Sequence, residues 1–385
     1  MQAWQDPDIE KTRLAYRQFA SEELEGDWRQ RDDDKEFSID RWLKCCARGV
    51  FGLSMPEKYG GQGQDYGHTI AALEGLSDGC RDTGFFFAMA SQISGIQLAL
   101  VSSASDQLKQ KYLPELINGE RIACLGFSEE SGGSDIHSST TSAEKVEGGF
   151  KLNGCKEFIT NSLDSNCCLV FAKTSNNHSP FDFTAFMVDF DFNGISHGEP
   201  VNKAVYRTCS MGRINFDNVF VPEDHIVGTV GGGMKVITNS IGWERIVLLA
   251  TCMGPMSRVL HDTIARTKER EQFGNTLDQY QQVTTKLADM VTRLRLSRMS
   301  VYDLCGQLTD KPSKISKLIE QIAFTKLYVT ESYVASMREA TQIWGARGVC
   351  HEWPIHQAMR DSLGSTIWAG TSETLRNTIA KLASL

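Results

Sequence analysis

Apolar positions recur at roughly helical spacing through the first third of the chain. From about Asp8 to Gly119 the pattern is helical, beginning with Ile9, Leu14, Ala15 and Phe19. Ser38 precedes a second run, Ile39-Asp40-Arg41-Trp42-Leu43, and is the expected cap. Pro56 and Gly60-Gly61-Gln62-Gly63 mark a turn-rich connection. Helical segments continue through Leu73, Phe87 and Leu98, and Asp106 to Ile117 runs into the stop signal Asn118-Gly119. The most apolar stretch, Phe85 to Val101, is interrupted by Ser91, Gln92, Ser94 and Gln97. It falls short of the roughly 18 uninterrupted apolar residues of a membrane span and is expected to be a buried helix.

From Ile122 to about Gly228 the period changes to that of strands. Lys145 to Leu152 reads as a hairpin around Gly148-Gly149, and Asn153-Gly154 as a further turn signal. Cys167 to Lys173, Phe183 to Phe190 and Gly212 to Val221 are short β-rich runs, closed by Pro222. Their spacing predicts a small barrel or sandwich. A glycine-rich hinge, Gly228 to Gly233, then leads into long helical segments: about Met234 to Glu269, Leu277 to Leu308 and Ser313 to Arg338. Asp310-Lys311-Pro312 is the turn between the last two, and a final helical stretch ends at Leu385. Helices, then strands, then helices predict an α+β arrangement in three parts, at about 1–120, 121–230 and 231–385. No G-x-G-x-x-G follows a strand, so a nicotinamide-binding Rossmann unit has little support.

Composition narrows the class without naming an activity. The chain has 385 residues, 41% hydrophobic and 23% charged, as globular proteins have. A formal net charge of −8 argues against free nucleic acid as a partner. Met1 to Glu10 is acidic and lacks an apolar core, so no signal or transit peptide is expected. Eleven cysteines without an export signal point to reduced thiols and a cytoplasmic location, and no C-x-x-C spacing suggests a metal.

The candidate chemistry centres on Gly126-Phe127-Ser128-Glu129-Glu130-Ser131-Gly132-Gly133-Ser134-Asp135. Small residues admit a ligand close to the backbone, and hydroxyls beside free N–H groups bind phosphate oxygens. By itself the stretch also reads as an ordinary loop. Phe158-Ile159-Thr160-Asn161, further on, offers an aromatic, a hydroxyl and an amide. Together the two segments resemble the flavin-holding segments of the acyl-CoA dehydrogenase family, and the same three-part order is that family's. The resemblance implies that Leu125, Phe127, Ser128, Gly133, Ser134, Phe158 and Thr160 hold FAD. Within that set, Ser128 and Thr160 face the isoalloxazine, Ser134 the pyrophosphate, and Phe158 lies against the flavin.

Arg270-Glu271-Gln272-Phe273-Gly274 reads locally as a helix end with a cation and a glycine cap, or as an arginine placed for phosphate. In the family, residues matching Arg270, Phe273 and Gln281 reach FAD held mainly by a neighbouring subunit. This implies a homo-oligomer, expected to be a tetramer. Gln342-Ile343-Trp344-Gly345 resembles a segment on the adenosine side, with Ala346-Arg347 standing where relatives commonly carry a glycine and a smaller residue. Met359-Arg360-Asp361 and Ile367-Trp368-Ala369-Gly370-Thr371-Ser372-Glu373 resemble the closing motif. That match implies Thr371 and Glu373 near the nucleotide, and Trp368, Ala369 and Gly370 near substrate.

Many members carry a catalytic glutamate where this chain has Ala369, which cannot accept a proton. Glu244, in Ile241-Gly242-Trp243-Glu244-Arg245, is an acid among apolar neighbours and reads either as half of an ion pair or as a base. Isovaleryl-CoA dehydrogenase combines an alanine at the first position with its base at the second, so the resemblance implies that Glu244 is catalytic and Arg245 lies beside the substrate. The expected chemistry is desaturation of an acyl thioester: a carboxylate takes the α proton while flavin accepts hydride. The thioester carrier is coenzyme A or the phosphopantetheine arm of a carrier protein. Gly242, where isovaleryl-type relatives have an aspartate near the pantetheine, leans toward the carrier protein, and the overall look toward oxidation of a carrier-bound prolyl group. A flavin monooxygenase or nitroalkane oxidase of the same fold is disfavoured by the Glu244/Ala369 combination, and a non-catalytic DNA-binding relative by the acidic charge.

Overall fold

A computed structural model describes residues 3–177, 179–309 and 312–384. In the first part, helices Pro7–Glu23 and Tyr66–Gly79 lie so close that a Cβ on Gly75 would sit 2.2 Å from the Arg13 carbonyl oxygen. Helix Ile39–Ala47 starts where the pattern placed it, but Ser38 does not cap it. The Ser38 hydroxyl instead accepts from the Arg41 guanidinium at 3.5 Å. Asp106–Asn118 ends at Gly119, whose φ of 87° is the left-handed conformation a glycine stop supplies.

The apolar stretch forms the helix Thr83–Ser103, and 94% of its most apolar window is buried inside the protein. Its interrupting polar residues explain why. Gln92 donates to the Leu116 carbonyl at 3.1 Å and accepts from the Ala123 amide at 2.8 Å, and Gln97 donates to the Phe51 carbonyl at 3.0 Å. Partners of this kind exist in a protein core and not in hydrocarbon.

Among the described residues the middle part is one eight-stranded mixed sheet. Its strands are β1 (Ala123–Gly126), β2 (Ser142–Val146), β3 (Gly149–Thr160), β4 (Cys167–Lys173), β5 (Phe183–Asp189), β6 (Ile195–His197), β7 (Met211–Pro222) and β8 (Ile226–Val227). The order is β6-β7-β3-β2-β4-β5-β8, with β1 parallel to β4. β2 and β4 share a single residue pair, Ser142 with Lys173, so the sheet folds there into two leaves and does not close into a barrel. Between the leaves, Phe150, Leu152, Ile214 and Phe216 pack with Val170, Phe186 and Val188. The alternate residues Leu169, Phe171, Ala185 and Met187 join the helical core. Strands β4 and β5 are therefore buried on both faces, as their unbroken apolar runs require.

The β2–β3 hairpin turns at Glu147-Gly148, with Gly148 at φ 73°. Asn153-Gly154 is not a turn. It lies inside β3 at a register shift against β7, where a Cβ on Gly154 would meet the Thr141 Cα at 2.7 Å.

The expected segment from Met234 to Glu269 is two helices, Gly233–Val247 and Ala250–Glu269. Between them Leu249 and Thr251 donate to carbonyls three residues back, which tightens the backbone. Gln281–Thr309, Ile319–Trp344, Ile355–Ser365 and Ser372–Leu382 complete the last part. Asp310 and Lys311 of the expected turn, and Leu385, lie outside the described residues.

Buried carboxylates join the three parts. Glu74 accepts from Arg298 at 2.6 Å and from the Tyr302 hydroxyl at 2.9 Å, with Arg13 at 3.4 Å. Asp82 pairs with Arg31 at 3.0 Å and also accepts from the Thr208 hydroxyl. Arg360 holds Asp32 through two bonds of 2.8 and 2.6 Å.

Candidate active site

A cavity of about 640 Å³ opens where the three parts meet. Four segments build its polar features.

The loop after β1 supplies Leu125, Phe127, Ser128, Gly133 and Ser134. It is anchored by Glu129, which forms a fully buried ion pair with Lys156 of β3 at 2.7 Å. The same carboxylate accepts from the Thr140 amide and hydroxyl at 2.6 and 2.8 Å. Burial works against its charge, but the ammonium and these donors prevail and hold its pKa down at about 2. The Glu157 amide donates to the Ser128 carbonyl at 2.8 Å and so ties the loop to β3 a second time. A Cβ on Gly133 would come within 3.0 Å of the Ser128 hydroxyl, so glycine keeps that hydroxyl clear.

The end of β3 supplies Phe158, Ile159, Thr160 and Asn161. A register shift between Lys156 and Ile159 spans Phe158 at φ 56°, and Asn161, just past the strand end, has φ 65°. Such bulges re-aim side chains. Asn161 is locked by donating to the Ala88 carbonyl at 3.1 Å, while Phe158 stays 58% exposed at the rim.

The helix Gly233–Val247 presents Ile237, Ile241 and Glu244 on one face, at the i, i+4, i+7 spacing. Glu244 packs against the π-helical segment Gln92–Gln97, and a Cβ on Gly95 would lie 3.1 Å from its Oε1. Among the described residues Glu244 makes no side-chain hydrogen bond or ion pair with an adjacent helix. Burial raises its pKa to about 7, against the opposing charge of Arg245.

The last wall is the turn through Trp368, Ala369, Gly370 and Thr371. Ala369 and Gly370 have φ of 51° and 101°, and Thr371 caps the helix Ser372–Leu382 by accepting from the Thr374 amide at 3.3 Å. Arg245 Nε donates to the Ala369 carbonyl at 2.8 Å.

Local pattern missed part of the lining. Phe87 stacks on Tyr206 at 4.7 Å, and the Trp368 indole donates to the Tyr206 hydroxyl at 3.4 Å. All three line the cavity, but Phe87 sits in an apolar run and Tyr206 in a loop, so neither carries a signal of its own.

Thirteen sequence-predicted residues are thus brought together: Leu125, Phe127, Ser128, Gly133, Ser134, Phe158, Thr160, Glu244, Arg245, Trp368, Ala369, Gly370 and Thr371. Six lie elsewhere in the single chain. Arg270 ends the helix Ala250–Glu269 and is exposed. Phe273-Gly274, at φ 50° and 78°, is the two-residue turn of a small hairpin and not a helix cap, and Phe273 is 95% exposed. Gln281 opens the next helix, Gln342 and Gly345 are at the end of Ile319–Trp344, and all three are exposed, as is Glu373.

Three family models cover nearly the whole chain: acyl-CoA dehydrogenase N-terminal domain at 6–120, middle domain at 124–219 and C-terminal domain at 231–383. An L-prolyl-[peptidyl-carrier protein] dehydrogenase of Pseudomonas fluorescens is 32% identical over 352 residues, 91% of each chain. The chain belongs to the acyl-CoA dehydrogenase family. A mitochondrial isovaleryl-CoA dehydrogenase of Solanum tuberosum is 31% identical, over 94% of this chain and 87% of the relative. Among solved structures, the prolyl acyl carrier protein oxidase AnaB superposes with a TM-score of 0.95 at 32% identity, covering 99% of this chain and 100% of that one. The FAD complex of PigA gives 0.94 at 29%, covering 99% and 98%.

As an acyl-CoA dehydrogenase family member the protein is an FAD-dependent oxidoreductase. The cavity fits that cofactor. Its walls are mainly apolar, and the Ser128, Ser134 and Thr160 hydroxyls that line it have no hydrogen-bond partner among the described residues, leaving them for a ligand.

Lys156→Met would leave Glu129 charged and buried, at a cost of about 3–5 kcal/mol. Chemical denaturation should show that loss at neutral pH, with weaker FAD retention. In the wild type, the contribution of Glu129 is complete above its unfolded pKa and fades as pH falls toward about 2. A Lys156→Met variant of wild-type stability and FAD content would contradict this anchoring.

Proposed function

We propose that the protein oxidises an acyl thioester with Glu244 as general base, and that the thioester is a prolyl group carried on the phosphopantetheine arm of a carrier protein. The observation that carries the first half is the placement of Glu244: an unpaired carboxylate, pKa about 7, on the wall of a cavity also lined by Ala369 and the flavin-segment hydroxyls. A base of that pKa is ionised enough at neutral pH to take the α proton and basic enough to hold it. FAD, when bound, accepts the hydride from the neighbouring carbon. Leu125, Phe127, Ser128, Gly133, Ser134, Phe158, Thr160 and Thr371 would hold it. Arg270, Phe273, Gln281, Gln342, Gly345 and Glu373, exposed in one chain, would complete the site from a neighbouring subunit or at its outer end.

Two observations support the carrier-protein half. The relatives at about 32% identity include enzymes named for prolyl carrier proteins. Gly242, two residues before the base, packs under Ile315: a Cβ there would lie 2.5 Å from Ile315 Cγ2, leaving no room for the aspartate of isovaleryl-type relatives. A second reading, a short branched acyl-CoA such as isovaleryl-CoA, is favoured by the Glu244/Ala369 combination and by the plant relative. The cytoplasm suits either reading, since none of the eleven cysteines is in a disulfide.

Glu244→Gln should slow flavin reduction by about 10²–10⁴-fold while leaving FAD bound. In the wild type the rate should rise with pH through about 7, as the carboxylate ionises, and the variant should lose that limb. Stopped-flow absorbance under anaerobic conditions measures both, and a wild-type rate in the variant would place the base elsewhere. In the same assay a prolyl carrier protein should bleach the flavin and isovaleryl-CoA should not; the reverse result selects coenzyme A. Light scattering should give a homotetramer, and an active FAD-loaded monomer would exclude a site shared between subunits.

A further inference from the structure

Lys326 is fully buried on the helix Ile319–Trp344, yet no carboxylate pairs with it among the described residues. Its ammonium donates to the Gly370 carbonyl at 2.8 Å and lies 4.8 Å from the centre of the Trp368 ring. Arg245, from a different helix, holds the preceding carbonyl, that of Ala369, also at 2.8 Å. Two cations, one buried and one partly buried, thus grip successive carbonyls of one turn. That turn needs gripping: Ala369 and Gly370 both have positive φ, a conformation alanine adopts under strain. It also ends in Thr371, which caps the last helix, so a shift would move Trp368, Ala369 and the cap together. An unpaired buried ammonium is costly, and an unbranched apolar side chain of similar size would serve packing better.

We propose that Lys326 is a positioning residue for the dehydrogenation, locking the Trp368-Ala369-Gly370 turn that forms the wall of the cavity shared with Glu244. The proposal rests on Glu244 being the base. Lys326 does not line the cavity and acts through Gly370 and Trp368.

Lys326→Met keeps the length and removes the donor and the charge. Its melting temperature and FAD content should equal or exceed those of the wild type. Amide exchange in a peptide covering 366–372, followed by mass spectrometry on the FAD-loaded enzyme, should become at least about tenfold faster. Flavin reduction should fall by about ten- to hundredfold, the range expected for losing one hydrogen bond from a charged donor. Lys326→Gln, which keeps a donor, should recover most of both losses, and it serves as the test if the methionine variant does not fold. Wild-type exchange and wild-type reduction in Lys326→Met would overturn the proposal, as would a glutamine variant as slow as the methionine one with unchanged exchange. Exchange involves no substrate proton, so its outcome is separate from a failure of Glu244→Gln to slow the reaction.

Discussion

The buried pair between Glu129 and Lys156 is the constraint on which the sheet side of the cavity depends. A glycine- and serine-rich loop has little apolar surface with which to hold itself in place, and its backbone is costly to order. Here one carboxylate in the loop gathers an ammonium, two amides and a hydroxyl, all in a low-dielectric setting where such bonds are strong. Lys156 lies two residues before Phe158, so the same bond sets the spacing between the loop and the bulged end of β3. Ser128 and Thr160 face one space because their parent segments are tied at that point.

The opposite side follows a different logic. There the acid is left without a partner. Helix packing against a π-helical segment, with glycine at the point of closest approach, gives Glu244 an apolar surrounding that raises its pKa. Arg245 is its sequence neighbour but spends its donor on Ala369, and Lys326, whose pKa burial lowers to about 8, spends its own on Gly370. The cations hold the wall and leave the carboxylate unpaired.

Both sides meet only because the three parts of the chain are fastened together. Glu74 and Asp32 bind arginines of the last part while buried, and Asp82 accepts from the Thr208 hydroxyl of the middle part. Such networks contribute less to stability than their bond count suggests, but a mismatched arrangement leaves charges stranded, so they select one geometry. That selectivity is what a cavity lined by all three parts requires.

Much of this was legible in the chain. Helical and strand periods marked the three-part order, since 3.6- and 2-residue repeats follow from backbone geometry alone. The motif around Ser128, the Phe158-Thr160 segment, and the pairing of Glu244 with Ala369 pointed to one flavin site through their likeness to known segments. The errors were local ones. Ser38 does not cap because Arg41 takes its hydroxyl, and Asn153-Gly154 is held inside β3 by pairing with β2 and β7. What only the tertiary structure decided is which long-range neighbour each polar group meets. Glu129 stands as one more acid in a loop and Gln92 as an interruption, and no local pattern singles out Lys326 or Tyr206. Their roles depend on partners 27 to 162 residues away, or across a helix interface, and no local period records such distances.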